Sequence, residues 1–223
     1  MQLNKLKALR LIQLLDRSIK NPETALKYRN KFTLLTSVVL SAQCTDTNVN
    51  NVTKNIYDKY YTPQHFVDLK INKIKKLIKS IGLFNTKAKN LYYLSKILVE
   101  QHQSKVPDNF EELMLLPGVG RKTANVVMNC AFGAHAMPVD THVFRVAKRL
   151  GIAYGDNPEK VENELLTNIP KNWLNHAHHW LVLHGRYICK ARKPLCEICP
   201  VNKWCEYYRS CDASSPPRRR GPR

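Results

Sequence analysis

Two groups of residues in this 223-residue sequence combine types and spacings that can do chemistry. The first centres on Lys122 in LPGVGRKTANVV (116–127), which follows a proline and two glycines into an apolar helical pattern. Gly118 and Gly120 allow close backbone approach and positive φ, and the free N–H groups of a helix start favour a phosphate. At about 100° per residue, Lys122 falls opposite Ala124, Val127, Met128 and Ala131, on an outward face with Asn125 and Asn129. Arg121 and the helix N-terminus both oppose a further cation there. A neutral amine is a nucleophile. The same stretch also suits a plain connection between two helices with solvated basic residues. Asp140, in PVDTHVFRVAKRLG, stands where an N-cap belongs. A carboxylate held by backbone N–H groups stays ionised, so it can steady a cation or accept a proton.

The second group is Cys189, Cys196, Cys199 and Cys205, spaced C-x6-C-x2-C-x5-C beside Pro194 and Pro200. In an intracellular chain such cysteines argue for a metal or free thiols, not disulfides. Four thiolates in one compact loop suit tetrahedral zinc or a [4Fe–4S] cluster, and the spacing leaves both open. Cys44, Cys130 and Cys211 read as buried or idle thiols, and His176, His178 and His179 as helix surface or core.

The elements that must position these residues are helical. Ala8, Leu11, Ile12, Leu15 and Ile19 recur at spacings of three and four, and Asn21-Pro22 closes that helix. KFTLLTSVVLSAQ (31–43) reads as a largely buried helix, and further helical patterns follow it between short Pro, Gly or Asn turns. Strand alternation is nearly absent, so the fold expected is all-α. SSPPRRRGPR at the end has nothing apolar to bury and reads as disordered. Lys and Arg number 36 against 17 Asp and Glu, a formal charge of +19, which favours a polyanionic partner. No apolar run reaches the length of a membrane span and no signal peptide is evident, so the chain reads as soluble and intracellular.

LPGVGRKTANVV followed by VDTHVFRVAKRLG, with SAQCTD upstream and HHWLVLHGRYIC plus the four cysteines downstream, resembles the endonuclease III family over about residues 1–209. These are the bifunctional DNA glycosylase/AP lyases of the helix-hairpin-helix superfamily. The resemblance implies two helical lobes: residues 24–134, with the helix-hairpin-helix at about 108–131, and residues 1–23 with 135–209, carrying a [4Fe–4S] cluster on the four cysteines. A disordered basic tail at 210–223 lies beyond the family pattern. It further implies that Lys122 attacks C1′ of a damaged nucleotide and that Asp140 assists. DNA contacts would come from the hairpin residues Leu116, Gly118, Val119, Gly120 and Arg121. Gln43 and Leu83 would fill the gap left by an extruded base, and His142 and Lys193 would also touch DNA. The implied activity is removal of oxidised pyrimidines from double-stranded DNA, with β-elimination at the abasic site. It would be carried out by a monomer in the bacterial cytoplasm, at the nucleoid. A related adenine glycosylase, a non-catalytic redox-responsive DNA-binding protein and a basic zinc protein are the competing readings. A lysine at position 122 speaks against the first, which typically lacks one there, Lys122 and Asp140 at the family spacing speak against the second, and an iron–sulfur absorbance would exclude the third.

Overall fold

The computed structural model describes residues 2–20, 22 and 24–213. These residues form eleven α-helices, one 3₁₀ turn and no strand. None of the helices is long and apolar enough to cross a membrane. Two compact units emerge, residues 24–136 and residues 1–23 with those from 137 onward.

The first unit holds α2 (Lys31–Ser41), α3 (Asp46–Tyr57), α4 (Pro63–Leu77), α5 (Phe84–Gln101), α6 (Phe110–Leu115) and α7 (Arg121–Phe132). Helix α2 is its centre, buried continuously from Phe32 to Leu40 and packed on α3, α5 and α7. The polar residues on α2 are satisfied internally: the Tyr57 hydroxyl lies 2.8 Å from both the Thr36 and the Ser37 hydroxyls. Asn30 and Thr33 close a capping box at its start. The helix stops at Ser41, two residues earlier than the sequence pattern suggests, because the chain turns at Ala42 and Gln43. Lys70, at φ 54, breaks α4 in two.

The second unit holds α1 (Gln2–Ser18), α8 (Thr141–Leu150), α9 (Pro158–Asn168), α10 (Lys171–Tyr187) and α11 (Glu206–Ala213), around a core that includes Leu11, Ile12, Leu15, Val146, Leu165 and Leu181. The expected apolar stripe of α1 is therefore a core-facing one. Helix α11 is fastened by Glu206, whose carboxylate accepts from Lys7 Nζ at 2.6 Å and from the Tyr154 hydroxyl at 2.8 Å. The sequence pattern starts a disordered tail at 210, but α11 runs on to Ala213. At its start Arg209 N donates to Cys205 O at 3.2 Å. Residues 214–223, most of that tail, lie outside the described residues.

Candidate active site and cluster loop

The turn between α6 and α7 is anchored from below. Leu116 and Val119 are 2% and 6% exposed, and Val119 N donates to Leu116 O at 3.0 Å. Their side chains belong to the core, so any contact these two residues make with DNA falls to their backbone at the turn. Gly118 has φ 81, and a Cβ there would sit 2.6 Å from Asn90 Nδ2, so neither the conformation nor the space admits a side chain. Gly120 differs from the expectation for both glycines: its φ is −99, and a Cβ would meet nothing within 4 Å. What Gly120 supplies is open space at the N-cap of α7, where no side chain caps the helix. The first-turn N–H groups lack an intrahelical acceptor. Lys122 is exposed in that turn, and the Arg121 guanidinium lies 5.4 Å from the Phe110 ring centre.

Asn125 and Asn129 are buried, not outward beside Lys122. After Gly133 the chain folds back over α7: Ala134 N donates to Met128 O, and Asn129 Nδ2 donates to Ala136 O at 3.0 Å. That returning coil covers a face which periodicity alone leaves to solvent. Asn125 Nδ2 has no partner.

Gln43 and Leu83 occupy two adjoining turns of the same unit. Both have positive φ, 53 and 60, and a Cβ on Gly82 would lie 3.9 Å from Gln43 O. A non-glycine residue in this conformation costs roughly 1–2 kcal/mol. Leu83 is nonetheless 58% exposed, and Gln43 is exposed too. An apolar side chain held outward on a strained backbone suggests a functional constraint rather than a packing one.

In the second unit, Asp140 is the N-cap of α8, and its carboxylate accepts from His142 N and Val143 N, both at 2.8 Å. His142 Nδ1 lies 3.3 Å from Arg145 Nη2, and Arg145 donates to Gly185 O at 2.8 Å and Cys189 O at 3.1 Å. The start of α8 is therefore tied to the first cysteine of the cluster loop, a link through Arg145 that sequence reasoning missed.

The four cysteines line a small cavity together with Leu150, His184, Pro194, Leu195 and other residues. Burial pushes the Cys199 thiol up to about 11, and Cys205, Cys189 and Cys196 each push it further in the same direction, so the four sulfurs share one field. Four thiolates so placed require a polycation. Four cysteines around one small cavity fit a four-iron cube, which takes one thiolate on each iron. Arg149 Nη1 lies 3.5 Å from Cys189 Sγ and His184 Nε2 lies 3.6 Å from Cys199 Sγ. Burial lowers the His184 imidazole to about 4, which keeps it neutral. Lys193 is exposed on the loop at φ 50. Cys44 and Cys130 are half-buried; His178 Nδ1 pairs with Pro138 O at 2.9 Å, a core role.

A helical unit with an uncapped glycine hairpin, followed by a Cys₄ loop, is the arrangement that two family models of DNA repair proteins match. The model of the HhH-GPD superfamily of base excision DNA repair proteins matches residues 36–171, and that of the iron–sulfur binding domain of endonuclease III matches residues 189–205. Endonuclease III of Rickettsia felis is 58% identical over 201 residues, covering 90% of this chain and 94% of that one. Endonuclease III of Escherichia coli is 46% identical over 210 residues, covering 94% of this chain and 100% of that one. A non-covalent endonuclease III–DNA complex superposes with a TM-score of 0.86 at 42% identity, covering 92% of this chain and 96% of that one. A trapped endonuclease III–DNA covalent intermediate gives 0.84 at 42% identity, covering 90% and 95%. The chain belongs to the endonuclease III family. It is a base-excision repair DNA glycosylase with lyase activity and carries a [4Fe–4S] cluster.

Proposed function

We propose that this enzyme extrudes oxidised pyrimidines from duplex DNA, removes them through Lys122, and nicks the strand by β-elimination. The observation that carries the reading is the exposed Lys122 in the first turn of α7, behind a glycine turn whose helix start no side chain closes. Phosphate oxygens would take the open N–H groups, which holds the sugar within reach of the amine. The Lys122 nitrogen bonds to C1′, and the departing base takes the electrons of the glycosidic bond. The nitrogen then gives up a proton, the C1′–O4′ bond breaks and O4′ takes a proton, leaving an imine with the opened sugar that acidifies a C2′ proton. Its removal breaks the C3′–O bond, and the 3′ phosphate leaves. Asp140, whose carboxylate is held in place by His142 N and Val143 N, steadies the cationic intermediates or moves a proton. Gln43 and Leu83 fill the space of the extruded nucleotide, whose unstacking costs a few kcal/mol and less where the base is damaged.

Cys189, Cys196, Cys199 and Cys205 would hold the cluster, which when bound staples the loop. Lys190, Arg192, Lys193 and Lys203 are exposed around it and suit a phosphate backbone. We read the protein as a monomer acting on nucleoid DNA, and its charge of +19 supports attraction to a polyanion. The test is borohydride reduction on a duplex bearing one thymine glycol, with mass spectrometry of the trapped peptide. An adduct on any residue other than Lys122 would overturn the assignment.

A further inference from the structure

Lys87 is a lysine where lysines are seldom found. It is 4% exposed, in the first turn of α5, and its Nζ donates to Leu40 O at 2.9 Å and to Ala42 O at 2.6 Å. Those carbonyls belong to the last turn of α2 and its C-cap, groups that a helix end leaves without partners. The backbone N–H of Lys87 donates to Leu83 O at 3.0 Å. One residue therefore holds both turns: by its ammonium the carbonyl of the residue just before Gln43, and by its amide the carbonyl of Leu83. Burial moves the amine below the usual lysine value, with the Cys44 thiol acting in the opposite sense. A desolvated cation is retained at such a site only where its hydrogen bonds are made. A plain core demand is met more simply by an apolar residue of similar length, and nothing in α5 as a helix asks for an ammonium here.

We propose that Lys87 is a positioning residue for base extrusion: it clamps the α2 end to the α5 start so that Gln43 and Leu83 stand together, outward, on their strained turns. The inference rests on the reading that these two side chains fill the gap in the duplex. Lys87 touches no DNA in this scheme. It fixes the spacing of two turns whose left-handed backbones would otherwise relax, and a misplacement of about 1 Å at such a distance can cost about 100-fold in rate.

The clamp matters only where a base must leave a stack. The experiment compares Lys87→Met with the parent protein on two substrates: a duplex with one thymine glycol, and a single-stranded oligonucleotide with an abasic site. Base release from the duplex should fall about 100-fold, while nicking of the single strand stays within about twofold. In a Gln43→Ala, Leu83→Ala background, Lys87→Met should cost nothing more, since it acts through those two side chains. If Lys87→Met does not accumulate as folded protein, Lys87→Gln, which keeps one amide donor at nearly the same length, carries the same comparison. Equal losses on both substrates would reduce Lys87 to a fold-supporting role and overturn the proposal. So would an unchanged duplex rate, provided Gln43→Ala and Leu83→Ala each lower it. Unchanged duplex excision in those two alanine variants would instead overturn the gap-filling reading, and the proposal with it.

Discussion

The starts of α7 and α8 are built in opposite ways. Gly120 leaves α7 open, with empty space where a cap would sit. Asp140 closes α8, and its carboxylate takes two backbone N–H groups. The contrast extends through the first unit: α2, α3, α4 and α6 are capped by Asn30, Thr45, Thr62 and Asn109, whereas α5 and α7 have no side-chain cap. The two uncapped helices are those whose leading turns carry Leu83 and Lys122. An unclosed helix start forgoes roughly a few tenths of a kcal/mol where glycine stands at the cap, as at Gly120, and about 1 kcal/mol where an apolar residue does, and it keeps its donors for an anion from outside. A closed one uses the same donors to fix its own carboxylate in place.

The largest expected effect removes what the open start presents. Lys122→Gln should lower both nicking and borohydride-trapped adduct by roughly a thousandfold or more, because a nucleophile that forms the covalent intermediate has no substitute. Lesion-duplex affinity should stay close to that of the parent, since the N–H groups remain. A gel-shift assay beside a nicking assay separates these outcomes, and undiminished nicking would remove Lys122 from the mechanism.

The closed start permits a cleaner separation. Asparagine caps as well as aspartate, so Asp140→Asn should melt within a degree or two of the parent while base release drops about 100-fold, the scale of a lost acid–base group. Asp140→Ala should lose the cap as well, about 1 kcal/mol and a Tm lower by roughly 2–4 °C. If Asp140→Asn kept full activity, the carboxylate would serve only as a cap.

Much of this arrangement was legible in the sequence because its signals are local. Periodicity exposed the helices, the position of Asp140 ahead of THVFRVAKRLG gave its cap, and four cysteines within one loop need no tertiary information. What escaped was set by partners far along the chain. Lys87 drew no expectation from the sequence, and its carbonyl partners lie 47 and 45 residues away. Asn90 underlies Gly118 from another helix. Asn125 and Asn129 share the face of Lys122 by angle, but the coil returning after Gly133 buries Asn129, and nothing within α7 announces that return.

The smallest effect tests the comparison most directly, by giving α7 the closure that α8 has. Gly120→Asp meets no steric objection, since no atom lies within 4 Å of the new Cβ and φ is ordinary. The carboxylate should accept from the first-turn N–H groups and favour the helix dipole, a gain of about 0.5–1 kcal/mol and a Tm higher by roughly 2 °C. The same closure should harm binding, because the donors become occupied and a negative charge faces the phosphate. Affinity for duplex DNA should fall about tenfold, and the dependence of log K on log salt should flatten by about 0.9, the loss of one neutralised phosphate. Melting curves report the first effect and a salt titration of DNA binding the second. A variant both more stable and equally tight on DNA would mean that the open start of α7 does not serve phosphate at all.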